Sequence, residues 1–179
     1  MLKQTIALFG LSLSLSLSAN SATLVKDESG LIGAKNVDVD GELYNVDFLR
    51  GSCIDLFENC MQFTFTDANK AWAASNALEE QVFIGALDNN PDILTWYPGG
   101  APQTKVYTPF ELTDEGEVAI AIFKNSYLPN DDEVYLSTRD VNIQLVYASW
   151  AEVSQVPIPA AAWLFSTALL GLIGIKRKK

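Results

Sequence analysis

Histidine is absent from this chain of 179 residues. That removes the usual general base near neutral pH and the commonest metal-binding side chain. Gly-x-Ser-x-Gly, Ser-x-x-Lys and the glycine-rich phosphate loop are missing too, so hydrolytic and nucleotide chemistry lack a recognisable carrier. Carboxylates are plentiful, and a pair could act as acid and base as in glycosidases. Asp114, Glu115 and Glu117 stand close together, but an acidic turn usually serves solubility alone. The expectation is a non-enzymatic protein without a cofactor.

Basic residues are scarce in the body of the chain. Of 12 lysines and arginines, Lys3, Lys176, Arg177, Lys178 and Lys179 lie at the two ends. Between them 7 basic side chains face all 22 acidic ones, a net of −15. Such a field repels nucleic acid and anionic lipid and favours solubility, with some affinity for divalent cations.

The two clearest apolar runs also lie at the ends. Lys3 precedes an apolar stretch from Ile6 to Leu17, diluted by serines, and Ala19-Asn20-Ser21-Ala22 follows as a small-residue cleavage region. This order reads as a signal peptide over residues 1–22, cut after Ala22, with Ala19 and Ser21 as competing positions. At the other end Ala160 to Ile175 holds no charge. Counted from Val156 the apolar helix rises about 30 Å, enough for a hydrocarbon core. Pro157 and Pro159 suit a helix start, where a missing N–H costs little. Trp163 fits an interface, and Lys176 to Lys179 mark the cytoplasmic side of a single transmembrane helix. The other reading is a buried C-terminal helix of a soluble protein, which four consecutive basic residues disfavour.

Residues 23–155 between these ends are one domain's worth of chain. The only cysteines are Cys53 and Cys60. In an exported chain such a pair reads as a disulfide, whose small loop adds about 2–3 kcal/mol of stability. The spacing is not Cys-x-x-Cys, and no histidine is present to complete a metal set.

The tail also carries a family resemblance. Val156-Pro157-Ile158-Pro159, then Trp163-Leu164-Phe165, Leu169-Leu170-Gly171-Leu172 and the basic cluster Lys176-Arg177-Lys178-Lys179, resemble a PEP-CTERM sorting signal. Ile158 stands where the namesake Pro-Glu-Pro has its glutamate, so a plain single-pass anchor is the alternative. The resemblance implies exosortase and the export machinery of a Gram-negative bacterium as partners. It further implies transient anchoring in the inner membrane, cleavage near Pro157–Pro159, and release or attachment at the cell surface. With it comes a link to extracellular polysaccharide or biofilm. The run from Leu31 to Phe83, with Gly33, Gly41, Gly51 and Cys53, is similar to a domain common among PEP-CTERM proteins and brings no activity with it.

Within the body, Val37 and Val39 alternate with Asn36, Asp38 and Asp40, and Tyr44, Val46 and Phe48 alternate with Asn45 and Asp47. Asp40-Gly41 between the runs predicts a β-hairpin. The same residues admit a second reading, because Asn36, Asp38, Asp40, Gly41 and Asp47 occupy positions 1, 3, 5, 6 and 12 of an EF-hand-like calcium loop. A glutamate at the last position and flanking helices are lacking, which favours the hairpin.

Asp67 to Ile84 predicts a helix capped by Thr66 or Asp67 and stopped at Gly85. Its inward face is Ala71, Ala74, Ser75, Leu78, Val82 and Phe83. Phe63-Thr64-Phe65 is a short apolar alternation before it. Trp96-Tyr97 sits in a Pro/Gly-rich loop and reads as a core edge or a stacking surface for a sugar or partner. Strands follow at Lys105–Leu112, broken by Pro109, at Glu117–Tyr127, buried on both faces, at Val134–Leu136 and at Val141–Trp150. The acidic loop Asn130 to Glu133 separates two of them and is a further weak calcium candidate. The expected fold is α+β: an antiparallel sheet with an N-terminal β-hairpin and one packed helix, followed by the C-terminal transmembrane helix.

Overall fold

A computed structural model of the chain describes residues 21–28, 30–88, 103–126 and 132–154. The signal-peptide residues 1–20, the Trp96-Tyr97 loop and the whole sorting tail lie outside the described residues, as do Asn130 and Asp131 of the acidic loop. Among the described residues no helix is long and apolar enough to cross a membrane.

The hairpin forms where alternation and Asp40-Gly41 predict it. Strand β2 (Gly30–Val39) pairs antiparallel with β3 (Glu42–Gly51), and Val39 faces Glu42 across the two-residue turn. Asp40 and Gly41 take φ of 54° and 85°, the left-handed pair that a hairpin turn matching strand twist requires. A bulge between Ala34 and Val37 places Asn36 at φ 57°, a conformation asparagine tolerates better than most residues. It keeps Ala34, Val37 and Val39 on one buried face despite the extra residue.

Ahead of the hairpin, Thr23–Asp27 adds a strand, β1, that the sequence reading missed. Its side chains are mostly exposed and show no apolar alternation. After it come α1 (Cys53–Leu56), α2 (Ala68–Gln81), β4 (Gln103–Leu112), β5 (Glu117–Ser126), β6 (Glu133–Asp140) and β7 (Leu145–Glu152). The strands make one seven-stranded sheet in the order β1-β2-β3-β7-β4-β5-β6. The expected α+β arrangement of sheet and helix is present, but the sheet is mixed rather than antiparallel: β7 and β4 run parallel, in register at Tyr107 and Tyr147. Strand β4 is not broken at Pro109. A register shift between Pro109 and Glu111 absorbs the residue that lacks an N–H, and pairing with β5 continues to Leu112. Strand β7 begins only at Leu145. Val141 to Ile143 belong to the turn before it, where Ile143 is exposed rather than sharing a buried face with Leu145 and Tyr147.

Two apolar clusters lie on opposite faces of the sheet, the second over its β4, β5 and β7 part. Helix α2 starts at Asp67, whose carboxylate accepts from the Asn69 and Lys70 amides at 3.0 Å each. Its Ala71, Ala74 and Leu78, followed by Val82 and Phe83, bury against Val46, Phe48, Val106, Ala121, Phe123 and Trp150. On the opposite face Cys53, Phe57 and Cys60 pack on Tyr107, Val118, Ile120, Ile122 and Tyr147. Strand β5 feeds both: Val118, Ile120 and Ile122 point to one cluster, Ala119, Ala121 and Phe123 to the other. Phe63 and Phe65 form no strand. They belong to opposite clusters, so the chain changes face at Thr64, whose hydroxyl donates to the Trp150 carbonyl.

Candidate functional site

The disulfide is present. Ser52 caps the short α1, accepting from the Asp55 amide, and starts a turn that brings Cys60 back to Cys53 with their Cα atoms 5.4 Å apart. Both cysteines are buried, and Phe57 between them packs edge-on against Phe63 and Tyr147. The loop is thus the lid of the second core face. Glu58, Asn59 and Cys60 all take positive φ, between 45° and 61°. Beneath this lid the buried Tyr147 hydroxyl has no hydrogen-bond partner among the described residues, and burial, then the neighbouring Tyr107, push its pKa up to about 12.

The calcium candidates lie on the hairpin and not in a loop between helices. Asn36 sits at the bulge, its amide donating to Asn45 Oδ1 at 3.3 Å. Asp38 uses Oδ1 to accept from the Gly41 amide at 2.7 Å, which closes the turn. Asp40 is in the turn itself, and Asp47 lies on β3, paired with Gly33. Among the described residues no three cysteine or carboxylate side chains gather closely enough to hold a metal ion. The hairpin that the sequence favours is what forms: residues two apart on an extended strand stand about 7 Å from one another, so Asn36 and Asp38 are strung out along β2 rather than wrapped around one point. Asp114 and Glu115 occupy the exposed β4–β5 turn, which Thr113 closes by accepting from the Glu117 amide at 3.2 Å.

What the hairpin does build is one wall of an open cleft. Its tip leans on α2, and Gln81 ties the two together, accepting from the Asp38 amide at 2.9 Å and donating to the Asp38 carbonyl at 2.7 Å. Between them lies a cleft of about 470 Å³, lined by Asp38 and Asp40 from the hairpin and by Asn69, Trp72, Ala73, Asn76, Ala77 and Glu80 from α2. Trp72 is 38% exposed. Beside the cleft Lys70 Nζ stands 2.7 Å from Glu42 Oε2 and 6.0 Å from the centre of the Tyr44 ring. The Lys70 ammonium, and after it the Tyr44 hydroxyl, hold the Glu42 carboxyl below its ordinary range; Glu42 in turn holds the Lys70 amine above its own.

Reading the sequence alone missed the helix half of this cleft. Asn69, Trp72, Asn76 and Glu80 recur at three and four residues, the spacing of one helical stripe, beside the apolar stripe that was legible. That stripe was a usable signal; what could not be read locally was that the hairpin tip would face it.

The architecture defines an α+β domain on a mixed sheet, with a disulfide lid on one face and a helix on the other. Comparison with protein-family models, with curated proteins and with solved structures finds no match.

Proposed function

We propose that this is an exported, non-enzymatic surface protein. In this reading a signal peptide over residues 1–22 leads it out of the cytoplasm, and residues 156–179 anchor it through a single transmembrane helix as a substrate of exosortase. Val156, Pro157, Ile158 and Pro159 are the cleavage region, and Lys176, Arg177, Lys178 and Lys179 stay on the cytoplasmic side. The mature acidic domain then works at the cell surface or beyond it, in the setting of extracellular polysaccharide.

The observation that carries the reading is the buried Cys53–Cys60 disulfide. A disulfide built into a core face belongs to an oxidising compartment and is rare in a reducing cytosol. The strongly acidic body agrees with an exported domain that stays soluble. A second reading, a permanently anchored binding module, draws support from the open cleft beside α2. The two part at the tail. Intact-mass measurement of the protein from envelope and medium is expected to show a chain starting at Thr23 and ending near Pro157–Pro159. A chain that keeps Lys179 supports permanent anchoring instead. Uncut protein with free thiols in the cytosol would overturn both.

A further inference from the structure

We propose that the cleft between α2 and the β2–β3 hairpin binds a short oligosaccharide whose rings carry protonated amines. This gives the surface protein a ligand, and it rests on the preceding reading only for where that ligand would be met.

Charge comes first. Asp38, Asp40 and Glu80 line the cleft, and among the described residues no lysine or arginine does. The surrounding body, net −15 over residues 23–155, deepens the negative potential. The cleft therefore selects a cation. The carboxylates do not converge as a metal set, so they suit a ligand wide enough to meet them at separate points. Trp72 then selects an organic cation, since an indole attracts an ammonium and also packs against carbon. The fold uses this combination one step away, where a carboxylate and an aromatic ring, Glu42 and Tyr44, hold the ammonium of Lys70.

Length and hydrogen bonding take the class further. From Asn69 to Glu80 the helix rises about 16 Å, more than a single amine head group needs. Asn69 and Asn76 each offer a donor and an acceptor along that wall, and the carboxylates accept. Sugar rings supply the complement: hydroxyls for the amides and carboxylates, a C–H face for Trp72, and amines for the negative charge. Ala73 and Ala77 complete the lining with short side chains, which leaves room for a ring to approach.

The test is isothermal calorimetry on the full chain in detergent with oligomers of glucosamine, their N-acetylated counterparts and a neutral glucose oligomer of the same length. Binding of the glucosamine oligomers is expected to weaken steadily with added salt and to exceed that of the other two. Trp72→Ala should weaken it about tenfold and Trp72→Phe less, with Glu80→Gln and Asp40→Asn each reducing the salt dependence. Circular dichroism of each variant checks that α2 is intact, and Glu80→Gln, a near-isosteric change on an exposed face, keeps the test decisive if Trp72→Ala fails to fold. Equal binding of neutral and amine-bearing oligomers, no binding at all, or binding indifferent to Glu80→Gln would overturn the proposal. None of these outcomes bears on whether the chain is exported or its tail is cut, because binding is read on purified protein.

Discussion

At the scale of single residues, the Glu42–Lys70–Tyr44 group shows how little an exposed pair needs in order to act. Lys70 leaves α2 and reaches Glu42 at the start of β3, tying helix to hairpin beside the cleft. Glu42 also accepts from the Tyr44 hydroxyl at 2.9 Å. A carboxyl held below its ordinary value contributes stability that is complete above that value and is lost as pH falls through the lowered one. Lys70, held above its ordinary value, contributes in full below it and loses that contribution as pH rises through the raised one. Both windows leave neutral pH untouched. Glu42→Gln should therefore leave the acid end of the stability–pH curve unchanged, lower the neutral midpoint slightly and flatten the acid limb by that same small amount, since an exposed pair is well screened. Thermal midpoints of wild type and variant between about pH 3 and 7 check this. A variant whose acid limb keeps the wild-type slope would show that other carboxylates carry it.

At the scale of elements, the disulfide lid is where sequence and structure complement each other. Pairing of Cys53 with Cys60 was legible from two lone cysteines in a chain whose ends read as export signals. That the loop would pack over the β4, β5 and β7 part of one sheet face was not. Nothing local to residues 53–60 says that Tyr107, Ile120 and Tyr147 lie beneath them. Three consecutive left-handed residues, Glu58, Asn59 and Cys60, close the loop, and left-handed backbone costs about 1–2 kcal/mol for a residue with a Cβ, less for asparagine. The cross-link holds the loop against that cost. Replacing Cys53 and Cys60 together with alanine should lower stability by about 2–3 kcal/mol, and a reductant should reproduce the loss in the wild type but not in the variant. Denaturant titration of both proteins, with and without reductant, reads it. Equal midpoints would mean that Phe57 and its neighbours hold the lid unaided.

The same contrast runs through the other elements. The hairpin and α2 could be read because their signals are local, Asp40-Gly41 between alternating strands and apolar residues every three or four. The parallel β4–β7 pair could not, since strands joined by long connections leave no mark on the intervening sequence. Pro109 misled for a physical reason: its missing N–H ends a regular ladder, but a bulge at an adjacent residue lets the strand continue. The hairpin half of the cleft was visible as a row of acidic residues, and what it faces was open until α2 placed Trp72 and the two asparagines opposite it.

At the scale of the whole molecule, charge outweighs every local feature. With 7 basic and 22 acidic side chains over residues 23–155, the folded domain compresses a net −15 into a small volume, and the unfolded chain relieves that repulsion by expanding. The ion pairs Lys70–Glu42 and Lys124–Glu133 offset only a small part of it. Screening should therefore favour the folded state. Raising ionic strength from about 0.01 M to 0.15 M shortens the screening length from about 30 Å to 8 Å, well inside the span of one domain. The thermal midpoint is expected to rise over that interval and then level off, as repulsion between distant carboxylates is removed and only close pairs remain. Sodium chloride and potassium chloride should act alike, because the effect is screening rather than occupation of a site. A midpoint that falls with salt would mean that attractive pairs, not the surplus of carboxylates, govern the electrostatics of this fold.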